Sequence, residues 1–143
     1  MVSKNKLRQK ITFIEENLRH LRRLARLPEA EFVESVIYCN AAIRMLQVAI
    51  EAMIDAASHI AAKERLGFPK TYAETFKLLA DGQIISRDFL KTAQRMVRFR
   101  NRAVHLYEEI SPQEVYRILQ HNLPDFELFI RFIVHKYFQE PAP

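Results

Sequence analysis

Leu7, Ile11, Ile14, Leu18, Leu21 and Ala25 recur at steps of three and four, which lays one apolar stripe along a helix from about residue 4 to 26. Pro28 opens a second element. Proline fits the first turn of a helix, where its missing N–H would have had no partner, and Glu29 and Glu31 stand near the positive end of the dipole. From Phe32 to Leu66 no breaker interrupts, and Leu46, Ala49, Ile50, Met53, Ala57 and Ile60 define a long apolar face. So long a run exceeds ordinary globular helices, and a kink or break is expected near Tyr38 to Asn40. Gly67 is expected to supply the left-handed cap, with Pro69 blocking continuation.

A short helix from about Tyr72 to Ala80 stops at Asp81-Gly82, and Ser86 caps the next, which runs through Phe89, Leu90, Ala93, Val97 and Val104. Ser111 followed by Glu114 forms a capping-box pattern for a helix to about His121. Pro124 opens the last helix, whose Phe126, Phe129, Ile130, Ile133, Val134 and Tyr137 make an aromatic-rich face before the chain frays at Pro141-Ala-Pro. The sum is three long helices, one medium and two short ones, with no competing strand pattern. An all-α fold follows: an antiparallel helical bundle, four-helix-bundle-like at its core with short extra helices, in one domain spanning residues 1–143.

Composition narrows the setting. Hydrophobic residues at 49% and charged residues at 27% exclude a disordered or fibrous chain. The one cysteine, Cys39, cannot form an intramolecular disulfide, and no Cys/His pair has zinc-ligand spacing, so a reducing compartment is expected. The start, MVSKNKLRQK, is too polar for a signal peptide, and no apolar run is expected to reach membrane-spanning length. The cytoplasm is the expected location, with no membrane partner. A net charge of +5 favours polyanions without specifying one.

The chemistry concentrates in RFRNRAVHLY, from Arg98 to Tyr107, where three arginines, an asparagine, a histidine and a tyrosine fall within ten residues. A solvated basic helix end, placed to suit the dipole, is one reading. Asn101 and His105 are four apart and share a face, whereas Arg100 and His105 are five apart, roughly 140° around an ideal helix. Either the helix loosens near His105, or Arg and His from two subunits converge.

Arg100, Asn101, His105 and Tyr107 match Arg-Asn-x-x-x-His-x-Tyr, and the chain thereby resembles the HEPN superfamily, in particular the HepT-like toxins of prokaryotic toxin–antitoxin pairs. Arg-x4-His alone recurs by chance; the added Asn and Tyr make the match far rarer. Helix order, length and the segment Glu51 to His59 extend the resemblance over most of the chain, the first helix matching in pattern only. It implies a homodimer with both motif copies lining one cleft, and a metal-independent endoribonuclease toxin of a type VII-like pair, acting on RNA without a cofactor. It also implies a minimal nucleotidyltransferase as antitoxin, which transfers AMP to Tyr107. By chemistry, His105 suits proton transfer, Arg100 suits stabilising phosphate charge, and Asn101 suits orienting either. Tyr107 also fits a half-buried aromatic with its hydroxyl in water.

Arg44, Glu51, Asp55 and His59 lie within about 80° of one another on the second helix. A solvated stripe is the plain reading. Glu51 and Asp55 are like charges four apart, which favours a nearby cation and a place along the cleft. A divalent metal at Glu51, Asp55 and His59 is a sharper alternative without a diagnostic motif, and no metal is expected. Arg19, Arg22, Arg23 and Arg26 with His20 make the first helix basic toward its end, which suits the dipole and equally a polyanion or an acidic antitoxin surface. The competing functional reading is a non-catalytic HEPN module that binds a nucleotidyltransferase partner or a nucleotide; intact Arg100 and His105 favour the enzyme. An aromatic last helix and a long second helix are expected to leave apolar surface for the dimer.

Overall fold

Leu7, Ile11, Ile14, Leu18 and Leu21 are all buried along α1 (Lys4–Ala25), and the apolar face from Leu46 to Ile60 is buried along α3 (Val36–Lys63). The computed structural model describes residues 1–139 and 142–143. Between these two helices lies the short α2 (Glu29–Val33), and after them come α4 (Tyr72–Asp81), α5 (Arg87–His105), a 3-10 turn (Tyr107–Glu109), α6 (Pro112–His121) and α7 (Pro124–Phe138). No strand occurs among the described residues. The fold is the expected all-helical bundle, with α3 as the central helix that packs on α1, α4, α5 and α6. The expected fraying at Pro141 lies outside the described residues.

Hydroxyl caps set the helix starts. Ser3, Ser35, Thr71, Ser86 and Ser111 each accept a backbone N–H from three residues on, supplying a partner that the helix itself cannot. The long second run therefore breaks at Ser35, not near Tyr38 to Asn40. The Ser35 side chain takes the Tyr38 N–H at 3.1 Å, and Glu34, one residue earlier, is the C-cap of α2.

The end of α3 also differs from expectation. Arg65, at φ 54°, is the left-handed residue after α3, and the Arg65 and Leu66 N–H groups donate to the Ala62 and Ala61 carbonyls at 3.2 and 2.9 Å. This is a Schellman motif, and its two bonds offset the strain of a side chain at positive φ. Gln83 plays the same part after α4. Gly67 shapes the following loop instead, at φ 143°, while Gly82 is small because the Leu66 side chain packs where a Cβ would stand, 3.0 Å away. The capping box at Ser111 is only half built, because the Glu114 carboxylate turns away to bind Arg102.

Phe126, Phe129 and Ile133 of the α7 face are buried within the bundle. Phe129 meets Phe76 of α4 edge-on at 6.1 Å and stacks on Phe89 of α5 at 6.3 Å. Ile130, Val134 and Tyr137 on the same helix stay partly exposed, and further exposed apolar residues include Val36 and Ile37 at the start of α3 and Val104 and Leu106 on either side of His105. Val104, in the last turn of α5, is exposed, whereas Phe89, Ala93 and Val97 on the same helix are buried. By length and composition α3 could cross a membrane, which corrects the expectation that no run reaches that length; half of its apolar window is buried within the bundle.

Candidate functional site

The last two turns of α5 carry the chemistry, and their placement follows from the ends of the helix. Ser86 fixes its start, and Arg102, in its last turn, holds the Glu114 carboxylate with both guanidinium arms at 2.6 and 2.9 Å. That bidentate pair holds the Arg102 guanidinium charged, raised further by the hydrogen bonds to Glu114, and ties α5 to the first turn of α6 across the 3-10 turn that bears Tyr107.

α5 stays helical through His105 and ends at Leu106, so it does not loosen before the histidine. Arg100, Asn101 and His105 nonetheless line one open groove of about 620 Å³, together with Ser58 of α3, the loop from Pro69 to Thr71, and Tyr72 and Thr75 of α4. Asn101 and His105 are exposed, while the Arg100 side chain is only 18% exposed.

Arg100 is positioned from three sides. Its Nε donates to Glu51 Oε2 at 3.0 Å, its Nη1 to Asn101 Oδ1 at 3.2 Å, and its guanidinium lies 5.3 Å from the centre of the Tyr72 ring. Gln47, one turn earlier on α3, also donates to Glu51 Oε2. Across the end of α5, the Tyr107 hydroxyl donates to Asn40 Oδ1 on α3, and both residues are exposed.

The acidic stripe on α3 is divided among these neighbours. Glu51 serves Arg100, whereas Asp55 pairs with Lys10 of α1 at 3.0 Å, and His59 Nε2 accepts the Ser3 N–H at 2.8 Å. Burial, then the charges of Lys6, Lys63 and the terminal amine, hold the His59 imidazole below its ordinary range, in keeping with an acceptor nitrogen. Arg44 is exposed. Among the described residues no three His, Cys, Asp or Glu side chains gather as a metal-binding group. Cys39, beneath the Tyr107 turn, is a buried thiol whose pKa burial raises. Of the basic residues late in α1, Arg22 pairs with Glu127 of α7.

Sequence reasoning did not find Asn40, Gln47 or Tyr72. Nothing periodic links Asn40 to Tyr107, 67 positions on, or Tyr72 to Arg100. The like-charged neighbours Glu51 and Asp55 did signal a cation, and each has its own: Arg100 and Lys10.

An all-helical bundle with Arg-Asn-x-x-x-His-x-Tyr at the end of one helix defines the class as a HEPN-type domain. The family described as ribonuclease HepT-like matches residues 14–133, and the chain belongs to that family. It is 36% identical over 104 residues to the mRNA nuclease HepT of Shewanella oneidensis, covering 73% of this chain and 78% of that protein. It is 28% identical over 124 residues to the tRNA nuclease HepT of Aphanizomenon flos-aquae, covering 87% and 84%. Among solved structures, the tri-AMPylated Shewanella oneidensis HEPN toxin in complex with its MNT antitoxin superimposes with a TM-score of 0.86 at 31% identity, covering 93% of this chain and 99% of that one.

Proposed function

We propose that the chain is a metal-independent endoribonuclease toxin, with Arg100 and His105 at its catalytic centre and Asn101 beside them. The observation that carries this reading is their convergence on one groove in a chain of the ribonuclease HepT-like family. With Nε engaged by Glu51 and one Nη1 hydrogen by Asn101, Nη2 and the second Nη1 hydrogen of Arg100 are left to hold phosphate oxygens, where its fixed fork and permanent charge stabilise the crowded phosphorus. His105 accepts the proton of a ribose 2′-hydroxyl as that oxygen attacks the adjacent phosphorus. The bond from phosphorus to the 5′-oxygen breaks, the leaving oxygen takes a proton from an imidazolium, and a 2′,3′-cyclic phosphate and a 5′-hydroxyl remain. A homodimer supplies two His105 side chains and so both proton carriers. The exposed Val104 and Leu106 that bracket His105 offer apolar surface for that pairing. The work of such a toxin belongs to the cytoplasm.

The antitoxin in this reading is a minimal nucleotidyltransferase, as the MNT partner is for the Shewanella toxin. The Tyr107 oxygen attacks the α-phosphorus of ATP, pyrophosphate leaves, and the attached AMP places negative charge near Arg100 and His105, where RNA phosphate must bind. The test is cleavage of single-stranded RNA in EDTA. Cyclic phosphate ends, lost together with cleavage in Arg100→Ala and His105→Ala while circular dichroism stays helical, support the assignment. Cleavage that requires added Mg²⁺ or Mn²⁺ refutes it.

A further inference from the structure

Two aromatic side chains beside the groove are not explained by the core. Phe68, in the loop between α3 and α4, is 99% exposed, and Tyr72, at the first position of α4, is 44% exposed. A ring of this size normally buries most of its surface, and among the described residues nothing packs over Phe68. The end of the loop is held in place. Lys70 N–H donates to Glu74 Oε2 at 2.7 Å, and Thr71 Oγ1 accepts the Glu74 N–H at 3.1 Å, so the helix start and the preceding residue are clamped by one reciprocal pair. The start of α4, which bears Tyr72, is thus fixed, with Phe68 four residues before it in the loop.

The surroundings indicate what the two rings take. Tyr72 lines the groove with Arg100 and His105, and its ring lies against the Arg100 guanidinium, which leaves nearly half of the residue open. None of the residues lining the groove is acidic, and Lys70 adds a second positive charge. A strip that pairs phosphate-binding cations with an open aromatic face has the chemistry of a single-stranded nucleic-acid subsite: the cations follow the backbone, and the ring offers a π-face to whichever base lies beside it. Arg100 joins the two functions, since its edge can meet a phosphate while its plane rests on Tyr72.

We propose that Tyr72, assisted by Phe68 at the rim, is a base-stacking platform that seats a single-stranded RNA nucleotide next to the phosphate held by Arg100. This deepens the ribonuclease reading and rests on it. Stacking makes the subsite tolerant of base identity yet selective against duplex RNA, whose bases are already stacked.

The experiment uses the full-length His105→Ala chain, which retains the groove, and a single-stranded RNA carrying 5-iodouridine, whose photocrosslinks to stacked aromatic rings are mapped by mass spectrometry. The expected result is a crosslink at Tyr72 or Phe68. Fluorescence anisotropy is expected to show RNA affinity about tenfold weaker in Tyr72→Ala, near that of the parent in Tyr72→Phe, and unchanged for a duplex of the same sequence. Unchanged affinity in both Tyr72→Ala and Phe68→Ala overturns the platform. So does loss, in those variants, of co-purifying nucleotidyltransferase with RNA binding intact, which assigns the rings to protein docking. Because both readouts are of binding, a failed platform shows as unaltered affinity, whereas a failed ribonuclease assignment shows as cleavage surviving in His105→Ala.

Discussion

Arg100 of α5 donates its Nε–H to the Glu51 carboxylate of α3 at 3.0 Å, and the pair is largely shielded, with side-chain exposures of 18% and 32%. The bond fixes the plane of the guanidinium. A cation that must meet two phosphate oxygens at once gains from such fixing, because reorientation during the reaction is then avoided. Glu51 is therefore a positioning residue in the proposed site. Glu51→Ala is expected to lower kcat by about ten- to a hundredfold with little change in KM, and Glu51→Gln, which keeps an acceptor oxygen, to recover part of the loss. Steady-state cleavage kinetics on both variants check this. Wild-type kcat in Glu51→Ala refutes the positioning role.

A second expectation concerns the break in the long helical run. Ser35 caps α3 through the Tyr38 N–H at 3.1 Å and lines the small cavity beneath Tyr107. Removing the hydroxyl leaves an N–H of the first turn without its protein partner, so Ser35→Ala is expected to cost about 1 kcal/mol of folding stability. Ser35→Asp, which caps as well and adds charge at the positive end of the dipole, is expected to restore it. Urea denaturation with an unchanged m-value measures both.

This break also shows how far the sequence could be read. Buried stripes and hydroxyl or proline starts are local signals: Leu7 to Leu21, Ser86, Ser111 and Pro124 stand where the pattern put them, because spacing and caps act within a turn or two of the chain. Ser35 is such a signal too, hidden in an otherwise unbroken apolar run. The end of α3 differs from the pattern because Arg65, and not Gly67, takes the left-handed position, whereas α4 ends at Asp81 and Gly82 as the pattern has it. The motif from Arg100 to Tyr107 was legible as a cluster. Of its partners, Glu51 was signalled by its like-charged neighbour Asp55, whereas Tyr72 and Asn40 were not, since they reach the motif from other helices and no periodicity encodes contacts across 28 or 67 positions.

The third expectation is a pH dependence. Neutral His59 accepts the Ser3 N–H at 2.8 Å; a protonated ring has no lone pair at that nitrogen, so protonation breaks the bond at the start of α1. The folded-state pKa lies below the ordinary value, for burial first and then for the nearby Lys6, Lys63 and terminal amine. The unfolded chain therefore binds the proton more readily. The contribution is fully present above about pH 6.5, the unfolded imidazole value, and is lost as pH falls through the lower folded value. The melting temperature is expected to fall between pH 7.5 and 5, and His59→Gln, whose amide oxygen can accept the same N–H without titrating, to flatten that fall. Asp81, held below the usual carboxylate range by hydrogen bonding to Arg87, titrates below this window. Equal slopes in wild type and His59→Gln dismiss the linkage.

The last expectation separates the two roles open to Tyr107. Its hydroxyl donates to Asn40 Oδ1 and the residue is 41% exposed, which leaves the acceptor oxygen with one exchangeable partner at an exposed position. Tyr107→Phe keeps the ring and loses the oxygen. Losing one exposed hydrogen bond costs on the order of 1 kcal/mol at most, which leaves the fold intact. The variant is then expected to cleave RNA at near the wild-type rate while gaining no AMP mass when incubated with a nucleotidyltransferase partner and ATP, and to remain toxic in cells that express that partner. Asn40→Ala is the complementary change: it frees the hydroxyl without removing it, so labelling should persist. Intact-mass spectrometry reads both. Equal labelling of Tyr107→Phe and wild type excludes Tyr107 as the acceptor. An inactive Tyr107→Phe assigns the hydroxyl to the cleavage reaction itself, since the ring, the Arg102 to Glu114 clamp and the helix end that positions His105 are all unchanged by the substitution.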